Sequence, residues 1–158
     1  MEINAVSKAM EQLPFLGSFT HIALVVRDID QAIDTYCRLL GAERPPFKQT
    51  GAPDQAKVLF EGKPTPARAR QSFFTVGGLR VELMQPDEHP STWREALDTQ
   101  GEGMHHVAFD VKSIDETADR LAAMGMPVVQ TGFYNGGRYA YVDSRAALGM
   151  MLELLETF

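Results

Sequence analysis

Two segments of this 158-residue chain carry the same pattern, and such a repeat constrains the fold before any single residue does. Residues 20–26 read THIALVV and residues 105–111 read HHVAFDV. Setting His21 on His106 aligns the apolar positions and places Ala23 on Ala108. Each segment is followed by a polar stretch, an amphipathic run and a glycine: RDIDQAIDTYCRLLG after the first, KSIDETADRLAAMG after the second. A second matched pair lies further along, LRVELM at 79–84 and MMLELL at 150–155, which sets Glu82 on Glu153. Each half therefore opens on a strand carrying His and closes on a strand carrying Glu.

The amphipathic runs have physical start and stop signals. Asp28 or Asp30 can cap the first helix, and Ser113 with Glu116 makes a capping box for the second. Gly41 and Gly125 suit the left-handed position just past each helix. The apolar stripes are Ile29, Ile33, Tyr36 and Leu40 in one, and Ile114, Ala118, Leu121 and Ala122 in the other. Between helix and closing strand, each half offers two more strands: 57–60 and 71–76 in the first, 128–131 and 138–142 in the second. Gly77-Gly78 and Asn135-Gly136-Gly137 supply the hairpin turns. The His-to-Glu spacing is longer in the first half, and the excess falls around 51–70, a stretch rich in Gly, Pro and charge.

These elements predict an α+β fold in which two tandem βαβββ repeats form curved mixed sheets around one site. The expected organisation is an N-terminal extension over 1–17, a first half over 18–86, a linker helix within 87–101 capped by Ser91, and a second half over 102–158. An extra helix is expected within 1–14. The net charge of −6 argues against a nucleic-acid surface, which needs a basic face to displace counterions. The N-terminus lacks the uninterrupted apolar run of a signal peptide, and no segment is apolar for the ~20 residues a bilayer requires. Cys37 is the single cysteine and has no internal partner for a disulfide, which suits a reducing cytosol. A cytoplasmic protein with no membrane or nucleic-acid partner is expected.

Side chains two apart share a strand face, so His21 sits with Ala23 and Val25, and His106 with Ala108 and Asp110. The small Ala beside each His leaves room for a ligand. Glu82 and Glu153 lie inside apolar strands, where a half-buried carboxylate is costly unless a cation compensates it. A lone strand His is ordinarily a packing residue and a lone strand Glu a solvated one. Two of each at equivalent positions of a repeat point instead to one metal centre, with zinc, nickel, cobalt, manganese or iron all suited to the donor set. His105 is in phase with Val107 and Phe109 and is expected to face away from that site; His89 reads as a loop residue.

The motifs FTHIA, VELMQP, GEGMHHVAFDV and LGMMLELL resemble the vicinal-oxygen-chelate superfamily, which includes glyoxalase I, methylmalonyl-CoA epimerase, extradiol dioxygenases and bleomycin-resistance proteins. The resemblance covers residues 18–158 and runs closest to methylmalonyl-CoA epimerase-like members. It implies two βαβββ halves enclosing one divalent metal, with His21, Glu82, His106 and Glu153 on the ligand positions. It also implies chemistry at a carbon next to a carbonyl, in which the metal stabilises an enolate-like charge and carboxylates move the proton. Glu153 is one such carboxylate. For the second, aligning Pro53-Asp54-Gln55 with the family's Pro-Glu-Gln nominates Asp54, and aligning VLFEG nominates Glu61. Glu rather than Gln at position 82 resembles the glyoxalase I ligand set.

The expected function is thus a metal-dependent isomerase or lyase of epimerase or glyoxalase type, acting on a small substrate such as an acyl thioester or hemithioacetal, in a homodimer. An extradiol dioxygenase and a non-catalytic ligand-binding protein are the alternatives. Arg68, Arg70 and Arg138 are candidate anchors for a substrate carboxylate or phosphate.

Overall fold

The computed structural model describes residues 16–158, so the helix expected within 1–14 lies outside the described residues. The first half consists of β1 (Phe19–Val25), α1 (Ile29–Leu40), β2 (Phe47–Gln49), β5 (Ala69–Val76) and β6 (Leu79–Pro86). Between β2 and β5 the chain makes an excursion through α2 (Pro53–Ala56), β3 (Leu59–Phe60) and β4 (Lys63–Pro64). After α3 (Thr92–Thr99), the second half runs β7 (Gly103–Asp110), α4 (Ile114–Ala123), β8 (Val128–Tyr134), β9 (Gly137–Val142), a short α5 (Arg145–Leu148) and β10 (Met151–Thr157).

The strands form one curled ten-stranded sheet in the order β2-β5-β6-β1-β7-β10-β9-β8-β3-β4. The first eight strands of that order are two copies of one arrangement, joined back to back through antiparallel pairing of β1 with β7. Within each copy the opening strand pairs parallel with the closing one, β1 with β6 and β7 with β10.

The second strand of the first half is β2, not the 57–60 segment. Leu59 and Phe60 do form a strand, but it pairs with Thr131 and Gln130 of β8 at the far edge of the other half. The surplus residues between the halves' matched motifs are what allow this crossing. They also cap the β8 edge, leaving the two-residue β4 at the rim, as suits an exposed sheet edge.

The caps anticipated from sequence are present. Asp28 accepts from the Gln31 backbone N–H at 3.0 Å, Ser113 from that of Glu116 at 3.2 Å, and Ser91 from that of Arg94 at 3.1 Å. Gly41 ends α1 in the left-handed region at φ 61, which a side chain would strain. Both long helices pack on the same face of the sheet. Ile29 and Ile33 of α1 sit against Leu83 and Phe74, and Ile114 and Leu121 of α4 against Ala140, Leu152 and Leu154. Leu40 and Ala122 of the anticipated stripes stay exposed.

The opposite face holds a third cluster: Ala23, Val25, Met84, Trp93, Tyr139, Tyr141 and Met151. Here α3 docks, and Trp93 donates its indole N–H to the Tyr141 hydroxyl at 3.0 Å. Trp93 is 2 % exposed and closes one side of the curl. Trp93→Ala should therefore lower stability by about 3–5 kcal/mol, measured as a shift of the urea midpoint. Leu39→Ala, on the exposed side of α1, should stay within about 0.5 kcal/mol of wild type.

Candidate metal centre

Strand register brings the four matched residues together. In the β1–β7 pair, His21 lies opposite Ala108 and Ala23 opposite His106. The parallel pairs then place Glu82 beside Ala23 and Glu153 beside Ala108. Paired residues share a face, so two rows cross the middle of the sheet: Glu82–Ala23–His106 and His21–Ala108–Glu153. Each His and Glu is separated from its row-mate by a fully buried alanine, whose methyl leaves the space into which the longer side chains lean.

The side chains meet at their tips. His21 Nε2 lies 3.3 Å from His106 Nε2, 3.1 Å from Glu82 Oε2 and 3.3 Å from Glu153 Oε2. His106 Nε2 lies 3.5 Å from Glu82 Oε2 and 3.2 Å from Glu153 Oε2. Metal–ligand bonds of about 2.0–2.2 Å set neighbouring ligand atoms roughly 3.0–3.4 Å apart, so this spacing suits a single ion. His21, Glu82 and His106 form a buried cluster that could hold a metal, and Glu153 reaches the same two nitrogens.

Each imidazole is oriented from its other nitrogen, as metal-ligating histidines are. Thr20 Oγ1 lies 3.0 Å from His21 Nδ1. His105 Nδ1 lies 2.8 Å from His106 Nδ1. A proton carried on His106 Nδ1 and donated to His105 Nδ1 would leave the Nε2 lone pair of His106 free for a cation.

The contact with His105 corrects the expectation that this residue faces away. Pairing jumps from Ala23–His106 to Leu24–Met104, which makes His105 the extra residue of a β-bulge. The bulge breaks the alternation on which the expectation rested. His105 lies buried against His106 and edge-on to Tyr141, ring centroids 5.2 Å apart. Burial, followed by the charge of His106, pushes its pKa down to about 3, so it stands neutral beside the cluster. His89 is a loop residue between β6 and α3, with Nδ1 3.2 Å from Asp87 Oδ2.

Electrostatically the quartet is two buried carboxylates neutralised by two imidazoles. Burial disfavours charge on His21, but Glu153 and Glu82 outweigh it and raise its pKa to about 9. His106 is raised by the same carboxylates against its own burial. Burial favours neutral Glu82 and Glu153, but the two imidazoles hold both carboxyls below the usual range. A divalent cation is the natural replacement for those two protons.

The two carboxylates are not equivalent. Gln71 Nε2 donates to Glu82 Oε1 at 2.7 Å, fixing that carboxylate from behind. Among the described residues, no hydrogen-bond donor outside the quartet reaches Glu153. Gln71 escaped the sequence reading, although a two-residue turn at Gly77-Gly78 aligns Phe73 with Glu82 and so brings Gln71 diagonally within reach. The aromatic wall of Trp93, Tyr139 and Tyr141 was equally unanticipated; it depends on α3 docking from outside the repeat.

Asp54 and Glu61 lie apart from the quartet. Asp54 is exposed on α2, and Glu61 is exposed in the β3–β4 turn at φ 50, its backbone N–H donating to the Val129 carbonyl at 2.8 Å. No hydrogen bond or ion pair links either to the quartet among the described residues. The three arginines nominated as anchors are engaged elsewhere. Arg68 donates to the Thr50 carbonyl, Arg70 pairs with Asp30, and Arg138 with Asp115 and Glu156.

Comparison with known proteins agrees with this architecture. The crystal structure of methylmalonyl-CoA epimerase from Mycobacterium tuberculosis superposes with a TM-score of 0.62 at 24 % identity, covering 95 % of each chain. In sequence, the chain is 28 % identical over 122 residues to an ethylmalonyl-CoA/methylmalonyl-CoA epimerase of Cereibacter sphaeroides, covering 74 % of this chain and 78 % of that one. It is also 28 % identical over 155 residues to a 2-epi-5-epi-valiolone epimerase of Actinomyces sp., covering 90 % and 81 %. The family model of the Glyoxalase/Bleomycin resistance protein/Dioxygenase superfamily matches residues 20–142, most of the chain. With the duplicated sheet and its central His and Glu residues, that match places the chain in the glyoxalase/bleomycin resistance protein/dioxygenase superfamily.

Proposed function

We propose that this protein is an epimerase-type enzyme that moves a proton at a carbon next to a carbonyl, with His21, Glu82, His106 and Glu153 holding one divalent metal ion. The observation that carries this reading is the convergence of two imidazole nitrogens and two carboxylate oxygens, 3.1–3.5 Å apart across each His–His and His–Glu contact, in the buried middle of the sheet. The ion would act as a Lewis acid for a substrate oxygen, lowering the barrier to removing the neighbouring proton.

The chain's own residues divide the remaining work. Glu82 is fixed by Gln71 and serves as a static ligand. Glu153, bound only within the quartet, takes or delivers the proton on one face of the substrate carbon. His105 and Thr20 hold the imidazoles in register. Trp93, Tyr139 and Tyr141 keep water from one side of the site. Inversion at carbon needs a second acid/base group across the substrate from Glu153. Asp54 and Glu61, on the 53–64 excursion, are the candidates for it. An acyl thioester is the favoured substrate, since a named relative is an acyl-CoA epimerase and a thioester carbonyl acidifies its neighbouring carbon.

Solvent-deuterium exchange into acyl-CoA thioesters tests the chemistry. Glu153→Gln should slow exchange by about 10²–10⁴-fold while the purified protein keeps its metal. Of Asp54→Asn and Glu61→Gln, the one that removes the second group should slow epimerisation more than exchange. Unchanged exchange in all three variants would dismiss the enolate reading and favour a binding protein.

Titration tests the ligand set. The raised His21 pKa means that its contribution to stability is complete below its unfolded value of 6.5 and is lost as pH climbs through about 9. The lowered carboxyls contribute above the ordinary carboxylate range and lose that contribution in acid. Metal-stripped protein should therefore melt at progressively lower temperature from pH 6.5 to 9.5, whereas metal-loaded protein should not. Matching alkaline profiles with and without metal would remove these residues as ligands.

A further inference from the structure

The two walls of the site differ, and the difference suggests what kind of substrate enters. Phe73 pairs with Glu82 and Lys48 with Gln71, so both lie on the quartet's face. Arg80, two residues before Glu82 on β6, lies on that face too. Its counterpart in the second half is Met151, which pairs directly with His106; by the same relation Arg80 stands beside His21. Phe73 has Tyr141 as its counterpart, opposite Glu153. Met151 and Tyr141 are 3 % and 2 % exposed, whereas Phe73 is half-buried and Arg80 and Lys48 are exposed. One wall is sealed and aromatic; the other is open and cationic.

Resting on the metal-site reading above, we propose that Arg80, Lys48 and Phe73 form an anion-recognising rim for a substrate with a carboxylate or phosphate a few bonds from the reacting carbon. Arg80 Cζ lies 4.1 Å and Lys48 Nζ 5.8 Å from the Phe73 ring centroid. Such stacking orients a cation without neutralising it. Neither cation has a carboxylate partner among the described residues, in contrast to Arg44, Arg70, Arg94, Arg138 and Arg145. The Phe73 ring in turn meets His21 edge-on, centroids 5.7 Å apart, so one ring contacts both the guanidinium and the quartet. The accessible part of the quartet is on the same row, His21 and Glu153 retaining 7 % and 8 % side-chain exposure against none for His106. Arg80's planar fork suits two oxygens of one group, and Lys48 adds a second charge. The phosphates of coenzyme A lie too many bonds from a thioester carbonyl to reach a side chain this close to His21.

Calorimetry with wild type and Arg80→Gln, each loaded with Co²⁺, decides the proposal. Succinate and 3-phosphonopropionate carry a second anionic group; butyrate is the control that lacks it. Arg80→Gln should weaken succinate or 3-phosphonopropionate by about 10-fold or more and leave butyrate unchanged. Whichever of the two loses more identifies carboxylate or phosphate as the preferred group. Lys48→Gln should give a smaller loss of the same probe. Equal losses for all three probes, no loss, or no binding of either dianion to wild type would overturn the rim. Cobalt absorption reports the metal separately. If Co²⁺ fails to load, the metal reading falls, and the same titrations without the ion still decide the rim.

Discussion

Two carboxylates buried in the middle of one sheet set the terms for the rest of the molecule. Glu82 and Glu153 sit on closing strands where alternation and apolar neighbours keep them out of water. Isolated charges there would be costly, so the fold is arranged to bring compensation to them. Antiparallel pairing of β1 with β7 delivers both imidazoles to the same point, and the parallel pairs β1–β6 and β7–β10 deliver the carboxylates. Ala23 and Ala108 are as necessary as the charged groups. A larger side chain at either would occupy the space where the four tips meet.

The centre was legible in the sequence because a repeat with period-2 strands constrains side-chain facing from residue types alone. His21, His106, Glu82 and Glu153 needed only the alternation rule and the alignment of the halves. Two features lay beyond that rule for definable reasons. The 57–60 segment has the composition of a strand and is one, but its partner is β8, and no local pattern announces a partner that far along the chain. His105 was misplaced because one bulged residue shifts the phase of everything before it on β7. Gln71 occupies a middle ground: the Gly77-Gly78 turn determines its register, so hairpin geometry would have found it.

Duplication explains what the halves share, and divergence explains what they do not. The quartet obeys the internal symmetry, since each half contributes one His and one Glu from equivalent positions. The walls around it do not. Gln71 and Tyr139 occupy equivalent positions, yet the first donates to Glu82 and the second joins the aromatic cluster under Trp93. An ion asks for symmetric donors around one point. A substrate must enter from one side and be held in one orientation, which a symmetric cup could not enforce. Trp93 of α3 covers the aromatic side formed by Tyr139 and Tyr141, while Phe73, Arg80 and Lys48 leave the other side open.

The separation of faces keeps these demands from compromising stability. The helix-covered face buries Ile29, Ile33, Leu83, Leu121 and Leu154 in two clusters of apolar residues. Hydrophobic burial there is proportional to area and indifferent to what happens on the other face. The site face can then carry charge, a bulge and an open wall, each locally unfavourable, because the sheet's register is secured from behind. Register is the quantity that must not slip, since a one-residue shift of β1 against β7 would turn His21 toward α1 and dissolve the centre. Helices α1 and α4 thus act on the site through the strands they hold, without contributing a side chain to it.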